Sequence, residues 1–117
     1  MIGVLFYTFL MSDMILVYVD CSSVEEAKKI ATSLLKEKLC ACTNIIPGVQ
    51  SLYLWPPKSG KIESANEVIL LIKTVKKNYQ KIEKQIKKLH SYSAPAIFSI
   101  PIETVEKKYR DWMKKEV

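Results

Sequence analysis

Apolar and polar positions change their spacing along this chain of 117 residues. The apolar run ILVYV at positions 15–19 precedes Asp20 and predicts a strand that is buried on both faces. Ser23 and Glu26 match a capping box, in which a hydroxyl and a carboxylate bind the free N–H groups of a helical first turn. Apolar residues spaced three and four apart then predict an amphipathic helix. They are Ala27, Ile30, Ala31, Leu34 and Leu35.

Two long apolar segments flank a Pro/Gly-rich break, WPPKSG, and predict a β-hairpin. The first arm is predicted from about position 40 to 55, with a bend or bulge at Pro47-Gly48, and the second from about 61 to 74. Both arms exceed the usual length of strands in small domains. We therefore expect part of the hairpin to pair with another chain.

The rest of the pattern completes a β-α-β-β-α-β order with a terminal helix. A second amphipathic helix is predicted over 76–90 and a last core strand over 95–102, with Phe98 and Ile100 on one face. Tyr109 and Trp112 belong to a short C-terminal helix. Right-handed crossovers place both long helices on one face of a four-stranded antiparallel sheet. The predicted class is α+β, with a ferredoxin-like arrangement.

Residues 1–13 are predicted to be an N-terminal extension ahead of a single domain over 14–117. They lack a basic segment and an A-x-A-like cleavage site, which is not typical of a signal peptide. Because Met14 opens a clean strand pattern, the extension is either the product of an upstream start codon or an extra edge strand. No apolar run is long enough to span a bilayer, so no membrane partner is expected.

The charge of the chain indicates which partners it can bind, and its cysteine content indicates its compartment. The formal net charge of +6 comes from lysine, and it indicates either a solvated surface or an anion site. An odd number of cysteines argues against a disulfide framework and predicts a reducing compartment, the cytoplasm. They are Cys21, Cys40 and Cys42.

Signatures of catalysis and of RNA recognition are absent. The chain has no G-x-S-x-G, no Gly-rich phosphate loop and no H-E-x-x-H, so we expect no enzymatic activity. Tyr53 and Trp55 share a strand face, which suits either base stacking or burial in a subunit interface. Because the RNA-binding motif of ferredoxin-like domains is missing, burial is favoured and no nucleic-acid partner is expected.

Cysteine and histidine supply the candidate metal ligands. Cys40 and Cys42 would place both sulfurs on one side if the strand had already begun there, and thiolates favour Cu(I) or Zn. Ordinary core packing is the alternative for both. His90 is the single histidine and lies at a helix end, where it either complements the helix dipole or ligates a metal. In an oligomer, ligands could come from two subunits.

Several segments together resemble the CutA1 family of divalent-cation tolerance proteins, from Met14 to about Lys115. ACTNI at 41–45 resembles A-C-x-N-I, SLYLW at 51–55 is similar to S-x-Y-x-W, and GKIE at 60–63 matches G-K-I-E. His90-x-Tyr92 followed by Pro95 resembles H-P-Y-E-x-P, and Tyr109-x-x-Trp112 matches Y-x-x-W. Ser91 and Ser93 replace the proline and the glutamate of that pattern, and the hairpin tip is longer than usual.

The resemblance implies a homotrimer in which long hairpins join the sheet edges of neighbouring subunits. Tyr53, Trp55 and Trp112 are the expected interface residues. It also implies a role in tolerance of copper and other divalent metals, with copper or another divalent cation as the possible ligand and no certain cofactor. Cys42 and His90 are the ligands carried over, with Cys40 as a further candidate.

One alternative stays open from the sequence. A trimeric regulatory module of the PII type would bind an anionic small molecule in clefts between subunits. Lys61, Lys73 and Tyr92 are the candidate residues for that cleft.

Overall fold

A computed structural model describes residues 12–117 of the chain. Of the predicted extension over 1–13, residues 1–11 lie outside the described part. The described elements follow the predicted order. They are β1 (Met14–Cys21), α1 (Val24–Lys36), β2 (Cys42–Leu54), β3 (Ile62–Val75), a 3-10 turn (Lys76–Asn78), α2 (Tyr79–Leu89), β4 (Ile97–Pro101) and α3 (Lys107–Glu116).

The four strands form one antiparallel sheet in the order β2-β3-β1-β4. In the centre, Met14 pairs with Val75 and Cys21 pairs with Val68. This topology confirms the predicted α+β class and the ferredoxin-like arrangement. The two edge strands, β2 and β4, have one free edge each within the described chain.

The start of α1 follows the sequence closely. The Ser23 hydroxyl accepts a hydrogen bond from the Glu26 N–H at 3.1 Å, as a capping box requires. The Glu26 carboxylate reaches back one residue further than predicted and accepts from the Ser22 N–H at 2.9 Å.

Both long helices cover the same face of the sheet. Their apolar residues pack on alternate residues of the central strands, so the core lies between Ile30 and Leu34 of α1, Ile82 and Ile86 of α2, and the sheet. On β1 this face is fully covered, whereas Leu16 and Tyr18 on the other face are half-buried. The prediction that β1 is buried on both faces is therefore wrong, because α1 and α2 lie on one side only.

The opposite face, which we call the outer face, is covered only at one end. There α3 places Met113 against Met14 and Val75. Phe98 is 47% exposed and Ile100 is 43% exposed on the rest of this face. The prediction that their side of β4 is a core face is wrong for the single chain, since alternation sends Ile97 to the core instead.

The hairpin of β2 and β3 is as long as the sequence predicted. Its register shifts between Ile46 and Val49, and Gly48 adopts φ +75° there, which places the bulge at Pro47-Gly48. Beyond the bulge the arms carry exposed apolar side chains. Their exposed fractions are 75% for Leu52, 43% for Tyr53, 68% for Leu54, 54% for Trp55 and 73% for Ile62.

Candidate functional site

His90 connects three segments at the end of β1. It follows α2, and its backbone N–H donates to the Ile86 carbonyl at 2.9 Å. Its ring is fully buried, and Nε2 lies 2.7 Å from the Asp20 carbonyl oxygen, which can only accept. The Tyr92 N–H donates to Nδ1 at 3.0 Å. These two bonds define a neutral imidazole that carries its proton on Nε2.

Glu26 approaches the same imidazole from α1. Its Oε1 lies 3.8 Å from His90 Nε2 and accepts from the Ser22 N–H and hydroxyl, while its Oε2 accepts from the Ser91 N–H at 2.8 Å. Burial acts to raise the pKa of Glu26, but the hydrogen bonds from Ser22 and Ser91 outweigh it and lower the pKa to about 2. The carboxylate is therefore charged at neutral pH.

Cys21 completes this corner from the helix-covered face of β1. Its sulfur is buried, and one ligand atom each from Cys21, Glu26 and His90 lie within 4.8 Å of one another. Burial raises the pKa of the Cys21 thiol to about 12, and the nearby carboxylates of Glu26, Asp20 and Glu67 add to the shift. Without a cation the thiol keeps its proton.

A carboxyl pair lies next to this corner on the outer face. Tyr92 Oη donates to Glu67 Oε2 at 2.6 Å. Burial, then the hydrogen bond with Glu67 and its charge, raise the pKa of Asp20 to about 7. Burial also acts to raise the pKa of Glu67, yet hydrogen bonds from Tyr92, Ser51 and Asp20 lower it. Asp20 is thus the member of the pair that holds a proton more readily.

Together these groups form one unit, which we call the carboxylate cluster: Asp20, Glu26 and Glu67 around His90. It draws on β1, α1, β3 and the segment after α2. Asp20 Oδ1 is buried without a hydrogen-bond partner among residues 12–117. Within this region, Cys21, Glu26 and His90 bring one ligand atom each within 4.8 Å of one another, a set that can coordinate a divalent cation.

Of this corner, the sequence predicted His90 as a metal ligand, Glu26 only as a helix cap and Tyr92 only as a residue of an anion cleft. The corner itself was not predicted, because its residues become neighbours through strand register and crossover packing. Cys21 was counted as a thiol but not as a candidate ligand. One local signal existed, since Cys21 follows Asp20 at a strand end and precedes the cap of α1. Glu67 had no such signal, because it lies 47 positions after Asp20.

Cys42 lies elsewhere on the protomer. It begins β2 on the outer face, where its Sγ is 3.8 Å from Lys73 Nζ, and Lys73 Nζ is 5.9 Å from the centre of the Tyr109 ring. Cys42 pairs with Lys73, which pairs with Leu16, four residues before Asp20 on β1. Four strand residues span about 13 Å. One chain therefore does not bring Cys42 and His90 together.

Cys40 is separated from Cys42 by the start of the strand. Cys40 is buried in the core on the helix-covered side, whereas β2 begins only at Cys42. The condition for both sulfurs to share a side is therefore not met. Burial raises the pKa of the Cys40 thiol to about 12, with a smaller contribution from Cys42. Cys40 has the environment of a packing residue.

The other candidate residues are spread over the protomer. Lys61 is exposed at the hairpin tip, twelve positions before Lys73, which corresponds to about 40 Å of strand. Tyr92 is 37% exposed and bonded to Glu67. The expected interface residues Tyr53 and Trp55 are exposed on the hairpin, and Trp112 is 43% exposed on α3.

Comparison with known proteins identifies the family. The family model described as CutA1 divalent ion tolerance protein matches residues 15–116. The chain is also 40% identical over 101 residues to the divalent-cation tolerance protein CutA of Archaeoglobus fulgidus, covering 86% of this chain and 95% of that protein. The chain belongs to the CutA1 family. The resemblance seen in the sequence is thereby confirmed.

A solved structure and one relative from a plant bear on fold and location. The solved structure of the periplasmic divalent cation tolerance protein CutA from A. fulgidus superposes with a TM-score of 0.83 at 38% identity, covering 88% of this chain and 97% of that one. The chloroplastic protein CutA of Arabidopsis thaliana is 38% identical over 100 residues, which is 86% of this chain and 53% of that protein.

These names contradict the predicted cytoplasmic location. One CutA1 relative is called periplasmic and another chloroplastic. The prediction rested on the odd number of cysteines, and all three are free thiols in the structure. Free thiols exclude an internal disulfide but do not specify a compartment. No helix among residues 12–117 is long and apolar enough to cross a membrane.

Proposed function

We propose that this protein contributes to tolerance of divalent cations by binding them, copper among them, and that it does so as a homotrimer. The proposed role is one of binding, without a catalytic step. Membership of the CutA1 family supports the role in divalent-cation tolerance. A binding role also requires a site on the protein that can hold a cation.

The carboxylate cluster is the observation that carries the proposal. On a chain with a formal net charge of +6, the Glu26 carboxylate lies 3.8 Å from the His90 imidazole, and the carboxyl pair of Asp20 and Glu67 lies next to it. Burial, and after it the hydrogen bond with Glu67 and the charge of Glu67, raise the pKa of Asp20 to about 7. A divalent cation would replace the repulsion between these carboxyl groups by attraction. This corner is therefore the favoured cation-binding region among the described residues.

Copper is the favoured member of the divalent series on general grounds. Sites of nitrogen, oxygen and sulfur ligands bind first-row divalent metals with affinities that rise to Cu²⁺ and fall again at Zn²⁺. His90 and Cys21 provide nitrogen and sulfur, and Glu26 provides oxygen. Mg²⁺ and Ca²⁺ prefer all-oxygen surroundings and are expected to bind more weakly.

The homotrimer is supported by apolar surface that a single protomer leaves uncovered. Leu52, Leu54 and Ile62 are each at least two-thirds exposed on the hairpin, and Phe98 and Ile100 are exposed on the outer face. The free edges of β2 and β4 can each accept a further strand. Exposed apolar stripes of this length are typical of subunit interfaces.

The direct test is isothermal titration of the purified full chain with Cu²⁺, Zn²⁺ and Mg²⁺, after light scattering has established its mass. We expect saturable Cu²⁺ and Zn²⁺ binding and a mass three times that of the chain. Glu67→Gln removes one charge of the carboxylate cluster and should weaken binding on the order of tenfold. Glu63→Gln, on the same strand near the exposed tip, should leave the affinity unchanged.

Two results would contradict this proposal. Absence of heat with every cation, together with metal-free protein after gel filtration, would contradict the binding role. Equal loss of affinity in the Glu63 and Glu67 variants would show that binding is unrelated to the carboxylate cluster.

The CutA1 relatives give no support to the PII-type alternative. Within one chain, Lys61 directly precedes β3 and Lys73 lies near the end of β3, so the two lysines do not share one cleft.

A further inference from the structure

The positive charge of the chain lies on the two helices that cover the sheet. Segments 23–38 and 76–89, which contain α1, α2 and the 3-10 turn, hold ten lysines and four glutamates. This difference equals the formal net charge of +6 of the whole chain, so the remaining charges cancel. All ten lysines are exposed. We call the surface that they form the lysine face.

We propose that the lysine face binds the phosphate backbone of a double-stranded nucleic acid without reading its sequence. The expectation of no nucleic-acid partner rested on the missing base-stacking motif, which concerns the sheet. Contacts with phosphates need no such motif, because flexible lysine side chains make them through charge alone. This inference goes beyond the proposed function and does not depend on cation binding.

The four glutamates of the same segments neutralise little of this surface. The side chain of Glu26 is only 10% exposed, and Glu83 accepts a hydrogen bond from the Tyr79 hydroxyl at 3.3 Å. Glu25 and Glu37 are exposed, at the two ends of α1. Within the part of the chain that the structure describes, no lysine of the lysine face forms an ion pair with a carboxylate. Its ammonium groups are therefore available to an anionic partner.

The two helices hold their lysines in one continuous layer. A hydrogen bond from Gln85 Nε2 to Ser33 Oγ at 2.8 Å joins α2 to α1. Lys29 and Lys36 lie about two turns apart on α1, and Lys84 lies near the middle of α2. A helix of 13 residues is about 20 Å long, and the axes of packed helices are about 9 Å apart. The lysine face is therefore about 20 Å long and two helices wide.

The charge of the lysine face matches that of a nucleic-acid duplex. A duplex carries one phosphate charge per about 1.7 Å of its axis, or roughly twelve over 20 Å. The lysine face presents ten positive charges over a similar length. Binding would release counterions that are condensed on those phosphates, and this release favours association.

A lipid bilayer is a less suitable polyanion for this surface. Helices that bind a bilayer surface insert an apolar face into it. The apolar residues of α1 and α2 pack against the sheet instead, and Leu35 is the one large apolar residue of the two segments that is exposed, at 40%. The one aromatic residue of the two segments, Tyr79, is half-buried, so the lysine face offers no ring on which bases would stack. Contact through phosphates alone is therefore expected.

The lysine face also lies apart from the apolar surface proposed for assembly. Leu54 and Ile62 are exposed on the hairpin, and Phe98 is exposed on the outer face, which α1 and α2 do not cover. We therefore expect the proposed homotrimer to leave its lysine faces accessible. Several of them on one long duplex would add to the apparent affinity.

Fluorescence anisotropy of a labelled DNA duplex of about 20 base pairs tests the proposal on the full chain, in EDTA and at about 50 to 200 mM NaCl. We expect saturable binding with a Kd on the order of micromolar at the lowest salt concentration, equal for two duplexes of unrelated sequence. The logarithm of the association constant should fall linearly with the logarithm of the salt concentration, with a slope of about −4 or steeper.

A charge reversal on both helices locates the binding surface. Lys29→Glu combined with Lys84→Glu should weaken binding at least about tenfold and make the salt slope flatter by about two. Lys107→Glu combined with Lys115→Glu is the matched control, because both lysines are exposed on α3 and the net charge changes equally. The control should bind within about threefold of the parent, since its charges lie outside the lysine face. Light scattering should give the same mass for all three proteins.

Four results would overturn the inference. Absence of saturable duplex binding at the lowest salt concentration would leave the lysine face as a solvated surface. Equal weakening in both double variants would mean that net charge, rather than this face, holds the duplex. Binding that EDTA abolishes would mean that a metal ion bridges protein and phosphate. Binding to vesicles of phosphatidylserine and phosphatidylcholine, without binding to the duplex, would make a membrane the partner. Failure of cation binding in the titrations above would leave this inference unchanged.

Discussion

At the scale of single residues, one imidazole organises the polar corner of the protomer. His90 uses both ring nitrogens and its backbone N–H, and its partners belong to three different segments. Buried polar groups need such partners, because an unpaired one costs about 1–3 kcal/mol. In the neighbouring carboxyl pair of Asp20 and Glu67, Asp20 Oδ1 is buried without a hydrogen-bond partner among residues 12–117. The stability of the protein should therefore depend on the charge of Asp20, and so on pH.

Asp20→Asn should stabilise the protein increasingly as pH rises. The pKa of Asp20 is raised from 3.8 to about 7 in the folded chain, mainly by burial and then by Glu67. A raised carboxyl pKa favours folding below the unfolded value, and this contribution is lost as pH rises from about 4 to about 7. An asparagine at this position carries no charge to bury, so the difference in Tm from the parent should grow between pH 5 and pH 8.

Thermal unfolding at a fixed protein concentration measures that difference. Glu67 has the opposite sign, because its lowered pKa contributes stability that is lost only in acid. The two effects therefore occupy different pH ranges. Asp111→Asn, an exposed carboxyl on α3, is the control. A difference in Tm that stays constant with pH for Asp20→Asn would contradict the proton assignment.

The residue scale also shows what a sequence can and cannot specify. The contact between Ser23 and Glu26 was predictable, because both residues lie within one helical turn. The contact between Asp20 and Glu67 depends on the pairing of β1 with β3, which no local pattern encodes. Cys21 is a similar case, since its neighbours come from α1 and from the end of α2.

At the scale of elements, periodicity predicted which residues of an element share a face but not what covers that face. The hairpin and its bulge at Pro47-Gly48 were predictable, because proline and glycine break a strand ladder. The side of the sheet on which α3 packs was not. Phe98 and Ile100 have the alternation of a core strand, yet in a single chain they lie on the outer face.

Met113→Ala should loosen α3 from the sheet. Met113 is fully buried and is the buried residue of α3 that contacts Met14 and Val75. Truncation of a buried methionine leaves a cavity and typically lowers the free energy of unfolding by 2–5 kcal/mol, so a loss of about 3 kcal/mol is expected. Met113→Leu conserves volume and should cost less than about 1.5 kcal/mol.

Urea unfolding at one fixed protein concentration provides both values, because assembly adds to apparent stability. Equal small losses in the two variants would mean that the outer end of the sheet tolerates a cavity. Hydrogen exchange then distinguishes local from global loosening. The amides of α3 should lose protection in Met113→Ala before those of α1.

At the scale of the whole molecule, the two faces of the sheet differ in cover. Two helices bury one face of β1 and of β3 from Val68 onwards, whereas one short helix covers one end of the other face. The hairpin extends beyond both layers and exposes apolar residues on each of its sides. A protomer of this shape has a folded core and an outer part whose apolar side chains are exposed. Mutations in this outer part, rather than in the core, should therefore affect assembly.

Leu54→Lys tests whether assembly depends on the hairpin. Leu54 pairs with Ile62, and both are about 70% exposed, so a lysine there should leave the folding of the protomer unchanged. Within an interface the same charge loses its water, which commonly costs 2 kcal/mol or more per contact, about a thirtyfold weaker association. Light scattering on dilution should show the mass falling from that of the proposed trimer towards that of one chain. Leu35→Lys makes the same change at a leucine of α1 that is 40% exposed. Because this leucine lies on the helical side, its variant should keep the mass of the parent protein, and equal dissociation of both variants would contradict a role of the hairpin in the proposed assembly.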